Sequence, residues 1–144
     1  MQQGKIKKND PQTRYRRVLS ASTLEGDTVR NPQGEDLGKV DEIMVDIPSG
    51  KVAYAVLSFG GVLGIGGKLF AVPWSALTVD EDEKCLILNV DKRTLETASG
   101  FDKDNWPDMA DRTWGTEIYR HYGQPPYWEE SAEERKTLRG GGGV

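Results

Sequence analysis

The run from Lys51 to Phe59 constrains the fold most. Val52, Tyr54 and Val56 point one way along an extended chain, and Ala53, Ala55, Leu57 and Phe59 point the other. A strand that is apolar on both faces needs cover on both faces, so this is the most buried strand of the domain. Around it, from Ala21 to about Leu95, short apolar stretches alternate with turn signals. Asp27-Thr28-Val29-Arg30 reads as a short strand closed by Asn31-Pro32-Gln33-Gly34. Leu37 to Ile47 follows, with Ile43, Val45 and Ile47 expected on one face. Val40 is out of phase with that set, and a bulge near Asp41-Glu42 would repair the register. Pro48-Ser49-Gly50 signals a tight hairpin. Lys68 to Val72, closed by Pro73-Trp74, is a further strand. Leu77-Thr78-Val79, the acidic turn Asp80–Glu83 and Lys84 to Val90 make a second hairpin.

Consecutive short strands with no long helix between them predict antiparallel pairing. A chain this small hides its strand edges best by closure. The expected fold is therefore mainly β: a small closed antiparallel β-barrel of about six strands with a short helical extension after it. Lys92 to Thr97 reads as one helical turn leading out of the barrel.

After Gly100 the composition changes, for residues 101–128 hold three of the four Trp and three of the five Tyr. Pro107 to Tyr122 is predicted helical, with Ala110, Trp114, Ile118 and Tyr122 forming an apolar stripe and Gly123 with Pro125-Pro126 ending it. The expected organisation is a flexible basic arm over 1–19, a barrel domain over 20–98, an aromatic helical extension over 99–130 and a flexible tail over 131–144.

Charge is unevenly distributed along the 144 residues, whose net charge is −4. Residues 1–20 carry six basic residues (Lys5, Lys7, Lys8, Arg14, Arg16, Arg17) against one Asp. Such an arm suits nucleic acid or anionic lipid, and an ordinary solvated tail carries the same charge. The longest purely apolar run, Val52–Leu57, is far below the roughly 20 residues of a bilayer span. The first eight residues also lack the apolar stretch of a secretory signal, so the chain is expected to be cytoplasmic.

The residues that would carry chemistry do not assemble into a known pattern. The glycine cluster Gly60–Lys68 has Val62 where a phosphate loop needs glycine and Leu69 where it needs Ser or Thr, and a strand follows it. Its Val62, Leu63 and Ile65 read instead as an apolar loop tip. Asp102–Asp108 resembles the start of a calcium loop, yet positions six and twelve hold Pro107 and Thr113. His121 is the only histidine, and Cys85 the only cysteine, in an apolar run where a buried role is natural. No cofactor, metal site or catalytic residue is expected. Trp106, Trp114, Tyr119, Tyr122, Tyr127 and Trp128 are too many aromatics for a disordered segment. Two arrangements satisfy them: packing on their own barrel, or docking onto a second copy or another protein.

Gly60-Gly61-Val62-Leu63-Gly64-Ile65-Gly66-Gly67-Lys68-Leu69-Phe70-Ala71-Val72-Pro73-Trp74, preceded by Gly38-Lys39-Val40-Asp41-Glu42-Ile43, resembles the PRC-barrel domain, named after the cytoplasmic part of the photosynthetic reaction centre H subunit. Ser22-Thr23-Leu24-Glu25-Gly26 and Gly34-Glu35-Asp36-Leu37-Gly38 are similar to its entry strands, and the likeness spans roughly residues 20–96. The segment from Phe101-Asp102 through Tyr119 to Trp128 looks like an extension of bacterial members that carry one such barrel. The resemblance implies about six strands and an adaptor role. In the reaction centre the barrel supports electron transfer without holding cofactors, and in a ribosome maturation factor it contacts a ribosomal protein. This chain lacks the transmembrane helix of the first and the second barrel-like domain of the other, so neither role transfers. The family pattern has no catalytic residues to carry over. The expectation is a non-catalytic scaffold that self-associates as a homodimer and docks onto a larger assembly through an unidentified protein partner. The alternative is an RNA- or ribosome-associated assembly module that uses the basic arm.

Overall fold

The computed structural model describes residues 18–60 and 67–129. The basic arm, the loop tip with Val62, Leu63 and Ile65, and the segment after Glu129 lie outside the described residues. Ser20 caps a short first helix, α1 (Ala21–Leu24), whose Leu24 is buried. Six strands follow: β1 (Thr28–Arg30), β2 (Asp36–Val45), β3 (Val52–Phe59), β4 (Lys68–Pro73), β5 (Leu77–Asp80) and β6 (Cys85–Leu88). A 3-10 turn, Trp74–Ala76, joins β4 to β5. Two helices follow among the described residues, α2 (Lys92–Glu96) and α3 (Arg112–His121). Asp91 caps α2, its carboxylate accepting from the Thr94 N–H at 2.8 Å. Among the described residues no helix is long and apolar enough to cross a membrane.

The strands form one sheet in the order β4-β3-β2-β1-β6-β5. Its edge strands are β4 and β5, yet only Trp74–Ala76 separates them in sequence. A flat six-stranded sheet would hold its edges about 24 Å apart, whereas that connection spans at most roughly 14 Å. The sheet must therefore roll up, and it forms a curled half-barrel.

Two features depart from the closed antiparallel barrel predicted from sequence. First, β1 and β6 pair in parallel, Thr28 with Cys85, Val29 with Leu86 and Arg30 with Ile87. A parallel pair needs a long connection, and the whole β2–β5 meander provides it. Second, β4 and β5 do not pair with each other. Pro73 ends β4 without an N–H to donate. The outer side of β4 instead receives the extension, where Leu69 and Phe101 exchange two backbone hydrogen bonds of 2.9 Å.

The bulge expected near Asp41 is present. Val40 pairs with Leu57 and Glu42 with Val56, leaving Asp41 as the extra residue. Directly paired residues share a face, so Val40 and Ile43 both join the side of Leu57 and Ala55. A second irregularity, between Met44 and Val45, goes beyond the sequence expectation. It sets Val45 opposite Val52, on the face of Tyr54, instead of beside Ile43. The expected single row of Ile43, Val45 and Ile47 is thereby broken: Ile43 is half-buried, while Val45 and Ile47 are 49% and 84% exposed.

The β2–β3 hairpin closes as predicted, with Gly50 at φ 73° donating to the Asp46 carbonyl at 2.7 Å. Ala53 to Leu57 of β3 are all buried, which fits the strand read as apolar on both faces. The one buried polar residue among those described, Asn31, exchanges side-chain bonds with Glu35: Nδ2 donates to its carboxylate at 2.7 Å and Oδ1 accepts its N–H at 2.8 Å.

Candidate interaction surface

The extension supplies the second cover that β3 requires. Asp111 caps α3 by accepting from the Thr113 N–H at 2.9 Å, so the helix begins five residues after Pro107, where sequence placed it. A capping carboxylate defines the start more strongly than proline's fixed φ, since it also satisfies an orphan donor. Ala110 is consequently outside the helix and exposed. Trp114, Ile118 and Tyr122 remain on the apolar side, and Tyr119 joins them.

Tyr54 on β3 is the centre of the packing. Its ring centroid lies 5.3 Å from Trp114, 5.4 Å from Tyr119 and 6.1 Å from Tyr127. Trp128 stacks edge-on against Tyr127 at 5.1 Å. Such tilted and edge-to-face pairs suit the ring quadrupoles. The helix approaches closely because of Gly115, whose place a Cβ would contest at 2.6 Å from the Tyr54 hydroxyl and 2.9 Å from the Trp128 ring. Sequence reading missed Gly115, although an isolated glycine inside a helical pattern is itself a signal of close packing.

Side-chain hydrogen bonds also tie the extension to the rest of the chain. Tyr119 donates its hydroxyl to the Ala53 carbonyl at 2.5 Å, and Tyr127 donates to the Asp46 carboxylate at 3.1 Å. His121 Nε2 lies 2.7 Å from the Thr94 carbonyl and joins α3 to α2. Burial holds the phenols of Tyr54, Tyr119 and Tyr122 above the ordinary tyrosine range. Tyr127 is raised by burial and by its bond to the Asp46 carboxylate. Asp46 is lowered, chiefly by the hydroxyl and N–H of Ser49. Among the described residues, the buried hydroxyls of Tyr54 and Tyr122 have no hydrogen-bond partner.

The six candidate aromatics therefore occupy different positions. Tyr119 and Tyr122 are buried on the chain's own sheet, and Trp114, Tyr127 and Trp128 are half-buried around them. Trp106 is 39% exposed, and its ring lies 5.1 Å from that of Phe101. Val45 and Ile47, which sequence set on one face with Ile43, are exposed and flank in sequence the Asp46 that bonds Tyr127. Cys85 is buried, and burial raises its thiol. Among the described residues, no group of three or more His, Cys, Asp and Glu side chains comes together in a way suited to a metal ion.

A six-stranded mixed sheet, rolled until a three-residue turn can join its edges and covered on one face by an aromatic helix, defines a small half-barrel. A family model described as PRC-barrel domain matches residues 16–95, and the chain belongs to that family. Domains of this family are protein-interaction modules. A comparison with curated proteins gives no match.

Proposed function

We propose that the chain is a non-catalytic interaction module that pairs with a second copy of itself and docks the pair onto a larger assembly. The observation that carries this reading is the exposure of Val45 and Ile47, 49% and 84%, at one end of the β2–β3 hairpin. Large apolar side chains left exposed on a hairpin mark a place where another protein can exclude water. Asp46, between Val45 and Ile47 in sequence, holds the hydroxyl of the half-buried Tyr127, a residue type that dominates interface energetics.

Light scattering on a sizing column tests the pairing. The full chain is expected to run as a dimer, and Val45→Asp/Ile47→Asp as a monomer with an unchanged far-ultraviolet spectrum. A full chain that stays monomeric at the highest attainable concentration overturns self-association. A dimer indifferent to both substitutions places the contact elsewhere and overturns this surface.

A further inference from the structure

The two edges of the sheet are not equally protected. β4 ends in Pro73, and its outer side exchanges backbone bonds with Phe101 through Leu69. β5, at the other edge, pairs with β6 alone among the described residues. Its residues Leu77-Thr78-Val79-Asp80 include no proline or lysine, the side chains that commonly blunt an edge. Thr78 is exposed and the other three are half-buried.

The register fixes which backbone groups point outward. Leu77 gives its N–H to the Trp74 carbonyl, and the carbonyl of its ladder partner Leu88 accepts from the Val90 N–H at 2.8 Å. Leu77 and Leu88 therefore form a non-hydrogen-bonded pair. Such pairs alternate with hydrogen-bonded ones along an antiparallel ladder. Thr78 and Asp80 thus face β6, whereas Val79 turns its N–H and C=O toward the open edge. The flank of that edge is acidic: β5 runs into Asp80, Glu81, Asp82 and Glu83, and Lys84 is the one cation of the β5–β6 hairpin.

We propose that β5 takes up an extended, basic segment of another protein as an added strand. The backbone of that segment pairs with Val79, and its Lys or Arg side chains lie beside the acidic turn. Main-chain bonds supply the affinity in this mode of recognition, and the charges supply the selection. The β5 edge of a second copy would bring the same acidic turn, so like charge opposes that pairing. The inference deepens the docking half of the proposed function and uses none of the self-pairing surface at Val45 and Ile47.

The test uses the full chain and a twelve-residue peptide, with alternating Val and Thr at its centre and three lysines at each end, so that either strand direction meets the turn. Titration followed by nuclear magnetic resonance should move the amide signals of residues 77–84 and slow hydrogen exchange at the Val79 amide. Replacing the lysines of the peptide by glutamates should weaken binding roughly tenfold, the change that several exposed ion pairs support. Glu81→Gln/Asp82→Asn/Glu83→Gln, which leaves the strand itself untouched, should do the same to the lysine peptide. Val79→Pro removes the outward N–H without taking a donor from the β6 ladder. It should lower the affinity at least tenfold with an unchanged far-ultraviolet spectrum. Val45→Asp/Ile47→Asp should bind the peptide as the natural chain does, which keeps this result separate from the pairing test. Unchanged exchange at Val79, or a glutamate peptide that binds equally well, overturns the inference. So does a dimer that Val79→Pro converts to monomer, because the edge then belongs to a second copy.

Discussion

Gly115→Ala separates helix propensity from packing. In an exposed helix interior the change stabilises by about 1 kcal/mol, because alanine loses less backbone entropy. At position 115 the new methyl would lie 2.6 Å from the Tyr54 hydroxyl oxygen and 2.9 Å from the Trp128 ring. Tyr54 is fully buried and fixed by three aromatic neighbours, whereas Trp128 is half-buried and can turn aside. Overpacking of a fixed side chain costs roughly 1–3 kcal/mol, so the net expectation is a loss of about 1–2 kcal/mol. Tyr54→Phe removes the oxygen that makes the worst contact. Alone it should be neutral or stabilise by about 1 kcal/mol, since that hydroxyl is buried without a partner among the described residues. In the Tyr54→Phe background, Gly115→Ala should then cost close to nothing. Urea unfolding of all four proteins, followed by tryptophan fluorescence at constant m, gives the coupling directly. A Gly115→Ala change that stabilises in both backgrounds, with additive effects, would refute the close approach of α3 to β3.

Tyr119→Phe should destabilise by about 1–2 kcal/mol in the same assay, because it leaves the buried Ala53 carbonyl without its donor. Asp46 has its folded pKa below the ordinary 3.8, so its contribution is complete above that value and is lost as pH falls below it toward the folded value. The stability difference between the natural chain and Asp46→Asn should accordingly shrink in denaturant titrations carried below about pH 4. The buried phenols have the opposite sign. Their raised folded values mean that stability is full below the unfolded tyrosine pKa of about 10 and declines as pH rises beyond it. Tyr119→Phe/Tyr122→Phe should flatten that alkaline decline in melts taken from about pH 8 to 12. Gly38→Ala should cost roughly 2–4 kcal/mol. The residue has φ 104° and its Cβ would strike the Ser58 carbonyl oxygen. Chemical unfolding would show no loss if that strand contact were looser.

What could be read from sequence followed the range over which each feature is encoded. The bulge at Asp41 was legible because Val40 breaks a two-residue period, and period is local. The second bulge, between Met44 and Val45, was hidden because both residues are apolar and either face would accept them. The parallel β1–β6 pair left no local mark, since its partners are separated by most of the domain. The start of α3 was misplaced because Pro107 and Asp111 both signal a helix start, and only the carboxylate satisfies an N–H. The aromatics of the extension announced that something must bury them. Their counterpart was visible too, in the second apolar face of β3, but no local pattern carries the register that joins the two.

That join explains why the family match and the folded unit have different extents. The match ends at residue 95, but β3 has two apolar faces and the sheet's own curl encloses only one. Tyr54, Val56 and their neighbours would face water without α3, Tyr119 and Tyr127. The extension is therefore the second layer that a half-barrel needs, and it is fixed by backbone exchange at Leu69–Phe101 and by the Tyr119–Ala53 bond. A chain ending at Gly100 should lose cooperative unfolding and gain binding of a hydrophobic dye. If that shortened chain unfolded as sharply as the full one, with no dye binding, the second face of β3 would have to be covered by something other than α3. Because most of the extension's aromatics are committed to this internal cover, the proposed pairing surface rests on side chains the cover leaves exposed, Val45 and Ile47 on the β2–β3 hairpin.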